Sequence, residues 1–199
     1  MSAVLPRDFY SRDTILVAKE LLGKVLVRET PAGRMSARIV ETEAYCGPHD
    51  KACHASRGRT ERNGVMFGEP GHAYVYFIYG MYYCLNLVTE RDGYPAAVLI
   101  RAGEPLEGVE AMWSLRKKAK KIEGLTSGPG RLCMALDIDR SLNGADVCKK
   151  GPLYLEEGDG RAFDIVSCKR IGVDYAGEYK DKPWRYYIKG SPFVSVMAK

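Results

Sequence analysis

Between positions 35 and 45 the chain reads Met-Ser-Ala-Arg-Ile-Val-Glu-Thr-Glu-Ala-Tyr, a β-prone run that carries two carboxylates among apolar neighbours. Side chains alternate along a strand, so Ile39, Glu41, Glu43 and Tyr45 are expected on one face and Val40, Thr42 and Ala44 on the other. A buried carboxylate is costly unless it is paired or put to use. The fold must therefore supply either an ion pair beside a core tyrosine, or a pocket that holds something flat and does acid/base chemistry next to it.

A second run, positions 73–88, reads Ala-Tyr-Val-Tyr-Phe-Ile-Tyr-Gly-Met-Tyr-Tyr-Cys-Leu-Asn-Leu-Val. It predicts two strands meeting near Tyr79-Gly80-Met81, with Tyr74 and Tyr76 on one face. Hairpin tips favour Asn, Asp, Gly and Pro, and this tip offers one Gly between a Tyr and a Met. Covered, such a tip is core; uncovered, it has the form of the wedges that minor-groove proteins insert between base steps.

The 199 residues suit a single domain spanning 1–199, with 28% charged and 46% hydrophobic residues, values ordinary for a globular protein. No apolar run is long enough for a membrane span, and the opening residues lack the apolar centre of a signal peptide, so an intracellular protein is expected. The six scattered cysteines are then expected as thiols. The net charge of +5 favours a polyanionic partner. Basic residues gather at 57–62, a loop-like stretch suited to phosphates, and at 116–121, where they are expected to close a helix.

Punctuation predicts helices over 11–22 and 106–121, a turn over 127–130 and a short helix beginning near Arg131. Strands are expected over 25–29, 35–45, 97–101, 153–156, 164–171 and 185–189, with a polar loop over 47–71. Strands broken by few helices indicate an α+β fold around a mostly antiparallel sheet. Phosphate loop, dinucleotide fingerprint and nucleophile elbow are all missing. Cys46, His49, Cys53 and His54 fall within nine residues but match no standard zinc spacing, and no metal is expected.

Five strings, at 38–45, 74–82, 98–102, 127–129 and 189–195, together resemble the alkyladenine (3-methyladenine) DNA glycosylase family, in that family's order and over nearly the whole chain. The resemblance is to a prokaryotic-type member. It implies one compact α+β domain with a curved, mostly antiparallel sheet, flanking helices and a protruding β-hairpin. It also implies excision of alkylated or deaminated purines (3-methyladenine, 7-methylguanine, hypoxanthine, ethenoadenine) from duplex DNA, without cofactor. A monomer is expected, associated with the nucleoid in the cytoplasm.

By position, the resemblance makes Glu43 the base that activates water and Arg101 the residue ordering the catalytic site. It places Tyr45, His54 and Tyr76 around the extruded purine, Asn86 as a guard against guanine, and Tyr79, with Met81 beside it, in the gap left in the duplex. Arg62 and Arg131 fall where the family contacts the DNA backbone. The chain departs from animal members in lacking long terminal extensions and in its longer segment 89–95, and Glu61 puts an acid inside the basic loop. No lysine lies in these strings, so base removal without strand-cleaving lyase chemistry is expected. Two rivals are a noncatalytic nucleic-acid module, which has no use for a buried Glu43, and a zinc nucleobase deaminase, which needs metal at Cys46, His49 and Cys53.

Overall fold

The computed structural model describes residues 3–198. Eight strands form one sheet: β1 Val25–Thr30, β2 Gly33–Tyr45, β3 Ala73–Ile78, β4 Tyr82–Thr89, β5 Ala96–Glu107, β6 Leu153–Glu156, β7 Ile165–Cys168 and β8 Arg185–Ile188. The main path runs β3-β4-β5-β2-β1-β6, while β8 pairs with both β2 and β7. Every strand pair is antiparallel. Helices α1 Arg7–Tyr10, α2 Thr14–Glu20, α3 Val109–Leu115, α4 Glu123–Thr126 and α5 Pro129–Ala135 complete the α+β arrangement.

The main core lies between one sheet face and α2, α3 and α5; Val17, Leu85, Leu87, Val98, Ile100, Met112 and Leu132 are all buried in it. The Asp13 carboxylate accepts the Leu16 N–H at 2.9 Å, an N-cap that starts α2 three residues later than the pattern predicted. α5 approaches β4 so closely that a Cβ at Gly130 would lie 2.9 Å from Tyr82, which only glycine permits. The opposite sheet face is left open for the candidate site.

Face alternation along β2 is interrupted. Ile39, Glu41 and Thr42 pair with Gly103, Ala102 and Ile100, so the register skips Val40 on one strand and Arg101 on the other. An unpaired residue at such a bulge shifts the phase of side chains. Met35, Ala37, Ile39 and Ala44 therefore belong to the main core, and the Thr42 hydroxyl donates to the Ala18 carbonyl of α2 at 2.7 Å. Glu41, Glu43 and Tyr45 turn the other way, which corrects the expectation that Ile39 shares their face.

Residues 106–121 do not form one helix. β5 continues to Glu107, and Gly108 follows at φ 68°, so tight against β2 that a Cβ would meet the Arg34 carbonyl at 2.6 Å. Only then does α3 form, ending before the basic run; Arg116 donates instead to the carbonyls of Leu125 and Gly124. β7 likewise stops at Cys168, freeing residues 169–173 to cross to the site, and the turn expected over 127–130 supplies the first residues of α5.

Candidate active site

A cavity of about 600 Å³ opens on the free sheet face. Tyr45 of β2, Tyr74 and Tyr76 of β3, Cys84 and Asn86 of β4, and Leu99 and Arg101 of β5 point into it at alternate strand positions. The connecting segments bring His54, Ser127, Ile171, Tyr175 and Ser195, α5 brings Arg131, and the hairpin brings Tyr79. Six of the residues expected in or beside a base pocket (Tyr45, His54, Tyr76, Tyr79, Asn86 and Arg101) thus line one space, together with Arg131.

Glu43 lies directly behind that wall and is fully buried. Its Oε1 accepts the Ile171 N–H at 2.8 Å, and its Oε2 accepts the Tyr45 hydroxyl at 2.9 Å and Arg101 Nη1 at 3.2 Å. Two residues back, Glu41 is equally buried. Its oxygens accept Arg185 Nη1 at 2.8 Å, the Ser195 N–H at 2.7 Å and the Ser195 hydroxyl at 2.9 Å, and Arg101 Nε lies 3.4 Å away. Arg101 thus bridges both carboxylates. Burial alone would lower its pKa, but the charges of Glu43 and Glu41 outweigh that and hold it above its ordinary value. Each buried carboxylate is thus surrounded by donors, as burial of such a group requires.

The aromatic wall is fixed from behind. Arg170 is fully buried, with its guanidinium 4.8 Å from the Tyr45 ring centre and 5.0 Å from that of Trp184. It pairs with the buried Asp50 at 2.5 and 2.8 Å and donates to the Ala44 carbonyl at 2.9 Å. Asp50 in turn accepts the backbone N–H groups of Cys46 and Ala52, so one ion pair ties the end of β2 to the loop that carries His54. The Tyr45 phenol is pushed well above its usual range by burial and by the Glu43 charge, and that of Tyr76 by burial and by Cys84. Both remain hydrogen-bond donors at neutral pH.

His54 Nδ1 and the Tyr74 hydroxyl are 2.9 Å apart, and the imidazole meets the Tyr76 ring edge-on at 4.5 Å. One edge of the imidazole faces the open cavity. The surrounding rings, by desolvation, and the Arg62 guanidinium lower its pKa to about 4. The Asn86 Nδ2 donates to the Tyr74 carbonyl at 3.1 Å across the β3–β4 pair, which fixes the amide in the pocket wall.

At the hairpin tip Tyr79 and Gly80 take φ 54° and 68°, the handedness of a tight turn whose twist matches the strands. An aromatic residue there costs about 1–2 kcal/mol relative to glycine. Tyr79 is 79% exposed and Met81 62% exposed, so the tip is uncovered. Met81 and Arg62 lie outside the cavity lining. Arg62 rests 5.1 Å from the Tyr76 ring centre and donates to the Phe77 carbonyl, while Arg131 donates to both oxygens of Ser127 at 3.2 Å. Neither arginine is in an ion pair among the described residues.

The residues a zinc site would need are engaged elsewhere. Cys53 Sγ donates to the Pro95 carbonyl, burial raises its thiol to about 11 and raises that of Cys46 further, and His49 lies 3.3 Å from the Tyr94 hydroxyl. Among the described residues no three His, Cys, Asp or Glu side chains converge as metal ligands. No helix among them is long and apolar enough to cross a membrane.

Sequence reasoning put Glu41 on the face of Glu43 and Ser195 in one of the five strings but gave neither a role, and it missed Arg185 on one side of the site and Asp50, Arg170 and Tyr175 on the other. Those four are brought in from distant parts of the chain, with no local pattern to mark them.

The profile of the methylpurine-DNA glycosylase family matches residues 8–192. A protein of Methanocella arvoryzae named "Putative 3-methyladenine DNA glycosylase" is 68% identical, over 98% of this chain and 97% of its own. Proteins of the same name from Desulfitobacterium hafniense and Clostridium acetobutylicum are 54% and 53% identical, each covered over 98% of its length by 96% and 98% of this chain. The chain belongs to the methylpurine-DNA glycosylase family, enzymes of DNA repair whose substrate is DNA.

Proposed function

We propose that the protein extrudes alkylated and deaminated purines, including 3-methyladenine, 7-methylguanine, hypoxanthine and ethenoadenine, and hydrolyses their N-glycosidic bond to leave an abasic site. The observation that carries the reading is Glu43: a fully buried carboxylate held by three donors immediately behind an aromatic cavity. A structural ion pair needs no such cavity, and a noncatalytic stacking surface needs no such carboxylate.

Extrusion costs a few kcal/mol of unstacking, least for a damaged pair. Tyr79 offsets part of it by filling the vacated place. The purine enters between Tyr45 on one side and His54 and Tyr76 on the other, and Asn86 disfavours the exocyclic amine of guanine. Stacking against Tyr45 draws its hydroxyl from Glu43, leaving Oε2 for the water that attacks the anomeric carbon. Positive charge grows on the sugar as the bond breaks, and Glu43 both stabilises it and accepts the proton. Arg101 holds the carboxylate in position. Arg62 and Arg131 hold the flanking phosphates.

Among the residues lining the cavity there is no lysine to form a Schiff base, which supports a monofunctional enzyme. Action as a monomer on chromosomal DNA, in the cytoplasm and at the nucleoid, is part of the same proposal.

The test is a single-turnover assay on duplexes containing hypoxanthine or 7-methylguanine, run with a metal chelator. Free base should be released, and strands should break only after heating in alkali. No base release would overturn the proposal, breaks before alkali would overturn the monofunctional assignment, and base release abolished by the chelator would overturn the metal-free mechanism.

A further inference from the structure

We infer that Tyr175 is a second DNA-facing aromatic, covering the sugar and outer face of the extruded nucleotide at the cavity mouth. The inference rests on the base-flipping reading above. Tyr175 is 69% exposed, although a tyrosine ring normally contributes its area to a core or an interface. Among the described residues it makes no ring or cation contact, and its sole hydrogen bond runs from the hydroxyl to the Ala52 carbonyl at 3.4 Å.

The exposure does not come from a loose segment. Tyr175 lies in the first of two short helical turns within Asp174–Asp181, which a kink at Ala176 and Gly177 separates, and its neighbours Val173 and Ala176 are buried against Ala52, Tyr45 and Tyr179. The backbone is thus held to the pocket's own wall while the ring stands at its entrance. A rigidly presented aromatic loses little conformational entropy on contact, which favours recognition.

Position supplies the ligand. Tyr175 and Tyr79 line the same cavity from different elements. Four residues before Tyr175, the Ile171 N–H holds Glu43. In the proposed pose the sugar of a purine stacked on Tyr45 faces Glu43, and the segment whose Ile171 N–H holds that carboxylate is the one that carries Tyr175. Tyr79 then fills the duplex while Tyr175 covers what has left it.

The test uses equilibrium titration of the full chain, wild type, Tyr175→Ala and Tyr175→Phe, with two duplexes: one carrying 2′-fluorinated deoxyinosine, which resists cleavage, and an undamaged match. An aromatic–nucleotide contact is worth roughly 5- to 150-fold, so Tyr175→Ala should lose about tenfold on the lesion duplex and less than about twofold on the undamaged one. Tyr175→Phe should restore lesion affinity to within about threefold of wild type, because the ring and not the hydroxyl makes the contact. Tyr175→Ala binding the lesion as wild type does, losing equally on both duplexes, or losing no more than Tyr175→Phe would each overturn the inference. Equal wild-type affinity for the two duplexes would overturn the base-flipping reading and this inference with it; a wild-type preference left undiminished by Tyr175→Ala overturns this inference alone.

Discussion

Glu43→Gln is the sharpest perturbation of the site, and its geometry sets what to expect. The amide oxygen of the variant can still accept the Ile171 N–H at the Oε1 position, 2.8 Å away. The amide nitrogen, however, would face two donors, the Tyr45 hydroxyl at 2.9 Å and Arg101 Nη1 at 3.2 Å. The hydroxyl can turn and accept; the guanidinium cannot. Arg101 would keep only Glu41, whose oxygen lies 3.4 Å from Nε. Removing one partner of a buried pair costs about 3–5 kcal/mol, and the retained Glu41 places this case near the lower end. At about 2–4 °C per kcal/mol for a chain of this size, the melting temperature should fall by roughly 6–12 °C. Loss of a positioned base should slow single-turnover hypoxanthine excision by at least ~10²–10⁴-fold. The assay belongs well below the variant's melting temperature, with circular dichroism confirming the fold. A rate within about tenfold of wild type would assign the base elsewhere. An unchanged melting temperature would show that Arg101 and Glu43 are not tightly paired.

Three further outcomes follow from the packing around the cavity. Arg170→Met leaves Asp50 buried without its cation and should cost about 3–5 kcal/mol in urea denaturation; adding Asp50→Asn should recover more than half, and equal stabilities of single and double variants would refute the coupling. Tyr79→Gly relieves about 1–2 kcal/mol of left-handed strain against roughly 0.5–1 kcal/mol of added chain entropy, so stability should hardly change while lesion-duplex affinity drops; a marked fall in melting temperature would show that the tip serves the fold. His54, held down to about 4 against an ordinary 6.5, binds fewer protons folded than unfolded between those values. Stability should therefore rise with pH through that window and be lost on acidification, and His54→Gln should flatten the slope; parallel wild-type and variant curves of melting temperature against pH would refute it.

Local pattern revealed much of the pocket because its walls are strands, where alternation alone assigns a face. Tyr74 and Tyr76 followed directly from period-two reading, whereas Arg101 was marked only by the family resemblance. The same reasoning failed at Ile39, since a bulge at Val40 breaks the alternation and nothing in Arg-Ile-Val-Glu announces one. It failed again at 106–121, where helix-prone residues invited one long helix. There the pairing of β5 with β2 and the close contact at Gly108 decided the matter instead. Arg170 and Asp50 lie 120 residues apart, and Arg185 and Glu41 lie 144 apart. Each pair is settled by folding rather than by neighbours in sequence. The pocket's surfaces were legible and its supports were not.

The three donors on Glu43 come from residues 2, 58 and 128 positions along the chain. Contacts of such separation carry a large loop-closure cost and form only when most of the chain is already in place. A nascent or partly unfolded copy therefore lacks the arrangement proposed to cut a glycosidic bond. Making abasic sites is hazardous when poorly controlled, and under that proposal the topology itself is the safeguard, because the carboxylate is armed only in the complete fold.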